Sequence, residues 1–303
     1  MKRLVFVCTI FFIFLFSECA PLYKGPPFAY STVVYNNNRW VATGSNAAIF
    51  TSLDGSFWVN VGGKSSLPLY SVAYGNNKWL AVGQTGIAFL SADCISWIRT
   101  TIEADSYLQS IFYANNTWVG VGIANNGSGT VSTSTDGQVW VRRHTNHYKL
   151  NSIAYGNNMW IAVGDNGIII ASSDGITWTT RFSGTTMRLN TAMYSNGIWI
   201  ITVQDNIVLT SADGVSWTKR FIGEGYFQSV CCGNGLWVGV GLEGDGYGII
   251  ATSHDGISWT KRVKINYKDS WLNSVAYGNN KWIAVGHQGI MLASADGITW
   301  EIQ

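Results

Sequence analysis

Seven aspartates stand in near-identical settings along this chain. Asp54, Asp93, Asp136, Asp174, Asp213, Asp255 and Asp296 each take the third place of a Ser-x-Asp-Gly-x-x-Trp segment, with Cys94 in the Gly position of the second. A carboxylate so placed accepts backbone N–H bonds within a turn, and Gly supplies permissive φ. Seven equivalent turn residues read as structural. Acids outside the pattern are few. A glycosidase needs two carboxylates roughly 5–10 Å apart, and Glu243, Asp245, Asp165 and Asp269 are the donors available. His144-x-x-His147 has chelate spacing but no Cys or carboxylate in a matching place, so both histidines are expected in solvent. Gly241–Gly248 is rich in Gly and acid, yet offers only two carboxylate ligands where calcium takes six to eight oxygens. It is expected to be a flexible hairpin tip. His287 stands alone. Cys231 and Cys232 are adjacent, so they face opposite sides of a strand and cannot share a metal. No phosphate-cradling Gly-Lys-Ser/Thr segment occurs. No metal, cofactor or catalytic constellation is expected.

The elements that position these residues come from a repeat. An inner Trp recurs at 40, 79, 118, 160, 199, 237 and 282, and a terminal Trp at 58, 97, 140, 178, 217, 259 and 300. Both series have a period of about 40 residues. They absorb 14 of the 15 tryptophans and span nearly all of the chain after residue 30. Within one unit, Asn273–Tyr277, Lys281–Val285, Ile290–Ser294 and Thr299–Ile302 read as four strands. Turn residues Gly278-Asn279-Asn280, Gly286–Gly289 and Asp296-Gly297 separate them. Charged residues are only 12% of the chain, so most of its surface must be covered by protein. The expected fold is an all-β, seven-bladed β-propeller over residues 30–303, with four antiparallel strands per blade. Each blade is one contiguous segment, so no N-terminal strand is expected to complete blade 7. Net charge is +2 and no basic run occurs, which speaks against a nucleic-acid partner.

The Ser-x-Asp-Gly-x-x-Trp segments resemble the Asp-box, or bacterial neuraminidase repeat, in a form one residue shorter between Asp and Gly. The fuller pattern Trp-x-Ala-Val-Gly-x-x-Gly-x-Ile is similar to the propellers of photosystem II assembly factors and related secreted repeat proteins. These resemblances cover all seven units and imply the propeller fold. Because this repeat is reused widely, they imply little about activity. A sialidase-like propeller would need an arginine cluster, a Tyr–Glu pair and an acidic Asp. Arg99, Arg142, Arg181, Arg220 and Arg262 all follow a terminal Trp, which puts them on outer strands. Arg39, Arg143 and Arg188 remain, from different parts of the unit, and the Arg-Ile-Pro motif of sialidases is missing. The chain is therefore read as non-enzymatic.

Up-and-down strands put the Gly-Asn-Asn and Asp turns on one face and the remaining loops on the other. Variation concentrates on the second face. The two tryptophans of a unit are 18 residues apart in five blades and 22 apart in blades 3 and 6, where 123–128 and 242–247 fill longer loops. Loops on a rigid scaffold carry function. The expected binding face holds Tyr107, Tyr148, Tyr226, Glu243, Asp245, Tyr247, Tyr267, Trp271 and His287, where Trp271 is the tryptophan left over from the repeat. A protein partner or assembly role is the first reading. A lectin-like propeller binding a glycan is the second, and a glycosidase the third. The discriminator for a lectin is an exposed aromatic recurring at one position in most blades.

Residues 1–19 read as an export signal. Lys2 and Arg3 precede 13 residues of almost unbroken apolar character, Leu4 to Phe16, too few to span a bilayer. Two processings fit: cleavage before Ala20, or a lipoprotein signal with Cys19 as the lipidated residue. Residues 20–29 are a linker. Loss of 1–19 removes Lys2, Arg3 and Glu18 and leaves a net charge of +1. A secreted or lipid-anchored monomer without a transmembrane segment is expected.

Overall fold

The computed structural model describes residues 28–63, 65–102, 106–244, 246–265 and 269–303. They form seven four-stranded antiparallel sheets, each with its strands in chain order. The innermost strands are Tyr30–Asn36, Leu69–Gly75, Ser106–Ala114, Leu150–Gly156, Leu189–Ser195, Tyr226–Gly233 and Leu272–Gly278. All four strands of blade 7 come from the C-terminal stretch Leu272–Ile302, as the repeat implies. Its last strand is shorter than expected, Glu301–Ile302, because Asp296 holds the chain in a turn through Thr299.

Seven hydrophobic clusters lie between consecutive blades. The cluster joining blade 7 to blade 1 packs Ala276, Ile283, Val285 and Met291 against Tyr30, Val33, Trp40 and Ala42. The inner tryptophans are 0–1% exposed. In six blades a tyrosine at the end of the inner strand packs on this Trp, as Tyr35 on Trp40 with ring centroids 4.9 Å apart. Blade 6 has Cys232 opposite Trp237 instead. Cys231 packs toward blade 7 and Cys232 toward blade 5, on opposite faces as expected. Both are free thiols, as is Cys94. Burial pushes the Cys231 thiol up to about 12.

Polar bonds also cross between blades. Ser71, Ser110, Ser152 and Ser274 hold one repeat position, and each accepts an N–H from the next blade: Ile111, Ile153, Ala192 and Val33 at 3.2–3.3 Å. The Ser274–Val33 bond closes the ring by the same device used inside it.

Candidate functional site

The turn face is built from repeated bonds. In blade 1, Oδ1 of Asp54 accepts from the Ser52 hydroxyl at 3.1 Å and from the backbone N–H groups of Ser56 and Phe57 at 2.8 and 3.1 Å. The Ser52 oxygen accepts from the Gly55 N–H. The same set recurs around Asp93, Asp136, Asp174, Asp213, Asp255 and Asp296. These N–H donors favour the ionised form and hold Asp93, Asp174, Asp213, Asp255 and Asp296 at about 2. Asp54 and Asp136 are lowered for the same reason. The carboxylates bond within their own turns. Neighbouring turns are joined at the blade 7–1 seam, where the Lys281 amine donates to the Asp54 carbonyl and the Ser56 hydroxyl at 2.8 Å.

The opposite face is organised by a bulge near the start of every inner strand. A bulge re-aims a side chain. Here it falls at Ser31, Tyr70, Gln109, Asn151, Asn190, Gln228 and Asn273, all around the central channel, a cavity of about 740 Å³. Three of these carboxamides bridge to the next blade. Asn151 donates to the Leu189 carbonyl at 3.0 Å, Asn190 to Phe227 at 3.1 Å, and Asn273 to Tyr30 at 2.7 Å.

Two residues before each bulge, one position carries a different side chain in almost every blade: Ala29, Pro68, Tyr107, Lys149, Arg188, Tyr226 and Trp271. Its backbone is pinned. The carbonyls of Ala29, Pro68, Lys149, Arg188 and Trp271 accept the N–H of the first residue of the facing turn at 2.8–3.1 Å. Tyr107, Tyr226 and Trp271 thus share one repeat position, and Trp271 is not outside the repeat. In blades 4 and 5 the position is cationic. Arg188 lies 3.6 Å from Asp165, which also accepts from Asn151 at 2.9 Å. Burial lowers the Lys149 amine, and the nearby Arg188 charge adds to the shift.

The loops of blades 6 and 7 meet. The Asp269 N–H donates to the Gly246 carbonyl at 3.1 Å. The Trp271 and His287 rings stack with centroids 4.0 Å apart and planes 14° from parallel. His287 Nδ1 lies 3.0 Å from the Asp269 carbonyl. Glu243, expected on a solvated tip, is 6% exposed. It is ion-paired with Lys261, and with Lys264 at 2.7 Å. The Lys264 amine also sits 4.8 Å from the centre of the Tyr247 ring. The expected flexible tip is therefore anchored: Gly241, Leu242 and Gly248 are strand residues, and the Glu243 N–H donates to the Tyr247 carbonyl. Tyr148 stands apart, 42% exposed, at the end of blade 3. Asp245 and Tyr267 lie outside the described residues.

Arg99, Arg142, Arg181, Arg220 and Arg262 lie on fourth strands, as their spacing predicts. Arg143, expected apart from them, is on a fourth strand too. A bulge opposite Val131 and Ser132 lets it bond Thr133, as Arg220 bonds Thr210 and Arg262 bonds Thr252. His144 is half-buried, and burial lowers its pKa. Among the described residues no three His, Cys, Asp or Glu side chains group as metal ligands, and no helix is long and apolar enough to cross a membrane.

Sequence alone could not show the bulge ring or the pinned position, because their side chains vary. The available signal was a fixed offset, eleven residues ahead of the inner Trp in every unit.

No protein-family model matches the chain, and no curated protein matches it either. Solved propellers do. The chain is similar to "YCF48 from Cyanidioschyzon merolae", with TM-score 0.69 at 12% identity, covering 92% of this chain and 98% of that one. A structure titled "YCF48 bound to D1 peptide" gives TM-score 0.68 at 16% identity, covering 90% and 98%. The WD40 β-propeller domain of Doa1 gives 0.67 at 14%, covering 89% and 93%. At these identities the likeness is one of fold: the chain is a seven-bladed propeller shared with YCF48 and WD40 structures.

Proposed function

We propose that this chain is an exported, non-enzymatic propeller that binds a protein partner through the loop face. The carrying observation is the pinned ring of Pro68, Tyr107, Lys149, Arg188, Tyr226 and Trp271. Its backbone is held throughout, by a bond to the facing turn in blades 2, 4, 5 and 7 and by strand pairing in blades 3 and 6, while its side chains change from cation to aromatic around the mouth. A rigid frame with one mixed set of side chains suits a single asymmetric ligand that offers apolar and anionic groups together. Aromatics occupy this position in three of seven blades, short of the recurrence a multisite lectin needs. The peptide-bound propeller among the similar structures accords with a peptide or protein ligand. The Ser-x-Asp turns fit a shortened Asp-box whose part is to lock the opposite face, and residues 1–19 fit the leader that would export the chain. The test is crosslinking and capture of partners with wild type and with a Tyr107→Ala, Arg188→Ala, Tyr226→Ala variant. Loss of the captured protein in the variant supports the reading. An unchanged set of partners, on equally folded protein, sinks it.

A further inference from the structure

Each inner strand except the first is entered from the preceding blade. The first is entered at Phe28-Ala29, and Ala29 holds the same pinned position as Trp271: its carbonyl accepts the Ser45 N–H at 3.0 Å, as that of Trp271 accepts the His287 N–H at 2.9 Å. Phe28 and Ala29 therefore stand where a connection from blade 7 would enter. Phe28 packs on Tyr30 and Phe50 with centroids 4.7 and 5.8 Å away. Its ring edge would lie 3.6 Å from a Cβ on Gly289, two residues along from His287. The stacked Trp271–His287 pair thus stands beside the point where the chain enters.

That pair is a preformed aromatic shelf. His287 is fixed to the Asp269 carbonyl, and the Asp269 carboxylate at its rim is exposed. Flat aromatic surfaces take up extended proline-containing segments, which lose little entropy on binding. Residues 20–27 read Ala-Pro-Leu-Tyr-Lys-Gly-Pro-Pro and hold three of the chain's four prolines, one tyrosine and one cation. Seven residues ahead of Phe28 reach at most about 25 Å, which more than spans an adjacent turn.

We propose that the Trp271–His287 shelf is a docking site for a short proline- and tyrosine-containing segment, and that its resident occupant is the chain's own residues 21–27, with Lys24 toward Asp269. The segment then covers one sector of the loop face and competes with any partner that uses Trp271. The inference stands independently of the proposed partner function.

The test uses the chain from residue 20 onward and follows tryptic cleavage after Lys24 by mass spectrometry under native conditions. Docking predicts at least fivefold faster cleavage in Trp271→Ala, and also in a Pro26→Ser, Pro27→Ser variant that leaves the blades untouched. A photoreactive phenylalanine at position 23 should crosslink to peptides containing Trp271 or His287. Equal cleavage rates in all three proteins, or crosslinks only to other blades, overturn the proposal. Protection that depends on Trp271, with no partner captured in the separate crosslinking experiment, upholds the inference and counts against the proposed function alone.

Discussion

The two faces of this propeller use repeated hydrogen bonds for opposite ends. On the turn face, side chain and backbone repeat together: each Asp oxygen is engaged by a Ser hydroxyl and two N–H groups, seven times over. On the loop face only the backbone repeats. In five blades the carbonyl before the inner strand is bonded to the facing turn, and in blades 3 and 6 the same position is paired within the sheet, while the side chain there runs from Pro68 through Tyr107 and Arg188 to Trp271. A fold that closes by one repeated device can leave one position per blade unconstrained without loss of stability. Changes on the turn face should therefore cost folding, and changes on the loop face should cost binding.

The largest effect is expected in the core that both faces share. Trp282 is 1% exposed and lies between blades 6 and 7. Trp282→Ala should cost about 3–5 kcal/mol, measured by chemical unfolding, and should weaken partner capture only in proportion to the unfolded fraction. On the turn face, Gly297 has φ of 75°, and an added Cβ would lie 2.8 Å from Leu236 and 3.1 Å from the Trp282 indole nitrogen. Gly297→Val joins a strained backbone to a steric clash and should cost about 2–4 kcal/mol. Loop-face Arg188→Ala should shift stability by under about 0.5 kcal/mol while reducing partner affinity roughly tenfold, the loss of one anchoring residue. If Arg188→Ala unfolds the protein, or Gly297→Val leaves it intact, the division between the faces fails.

Acid separates the faces in another way. The turn carboxylates have folded values near 2, below the ordinary value near 4. Their stabilising contribution is thus fully present above about pH 4 and is lost as pH falls toward 2. Thermal stability should fall steeply over that window. Asp213→Asn and Asp255→Asn together should flatten the fall while lowering stability at pH 7, where the ionised acceptor is preferred. A pH profile unchanged by these substitutions would assign acid unfolding to other groups.

The fold was legible because its determinants are side chains that recur. Fourteen tryptophans and seven Asp turns give blade number, strand order and the uniform face without reference to coordinates. The loop face was legible only in outline. Tyr107, Tyr226 and Trp271 stand out as aromatic residues near loops. Their equivalence lies in spacing alone, eleven residues ahead of the inner Trp, and the backbone bulge that gives it meaning leaves no mark in the residue types. Glu243 shows the converse. Its Gly-rich neighbours suggest a mobile tip, but Lys261 and Lys264, on the fourth strand of the same blade, approach it across the sheet and bury it. Sequence adjacency could not display that pairing.

The smallest expected effect probes the one break in the uniform face. Cys94 has φ of 65° where the six other turns have Gly, and its side chain is fully buried, with Sγ 3.4 Å from the Thr51 hydroxyl. The space for it comes from the preceding blade. A Cβ on Gly256 would lie 2.7 Å from Ile200 Cδ1, and one on Gly214 3.1 Å from Ile161 Cδ1. Blade 1 offers Val41 in the corresponding place, one carbon shorter, and Cys94 packs in the cluster that contains it. The left-handed backbone costs a non-Gly residue about 1–2 kcal/mol, and burying a small thiol returns a similar amount. Cys94→Gly should therefore be neutral to within about 1 kcal/mol. Gly256→Cys should be destabilising by more than that, and Ile200→Val made with it should recover part of the loss. A double-mutant cycle reads this coupling directly. Additive effects would show that the space beside the turn does not decide where a side chain is tolerated, and the exception in blade 2 would then need a cause other than Val41.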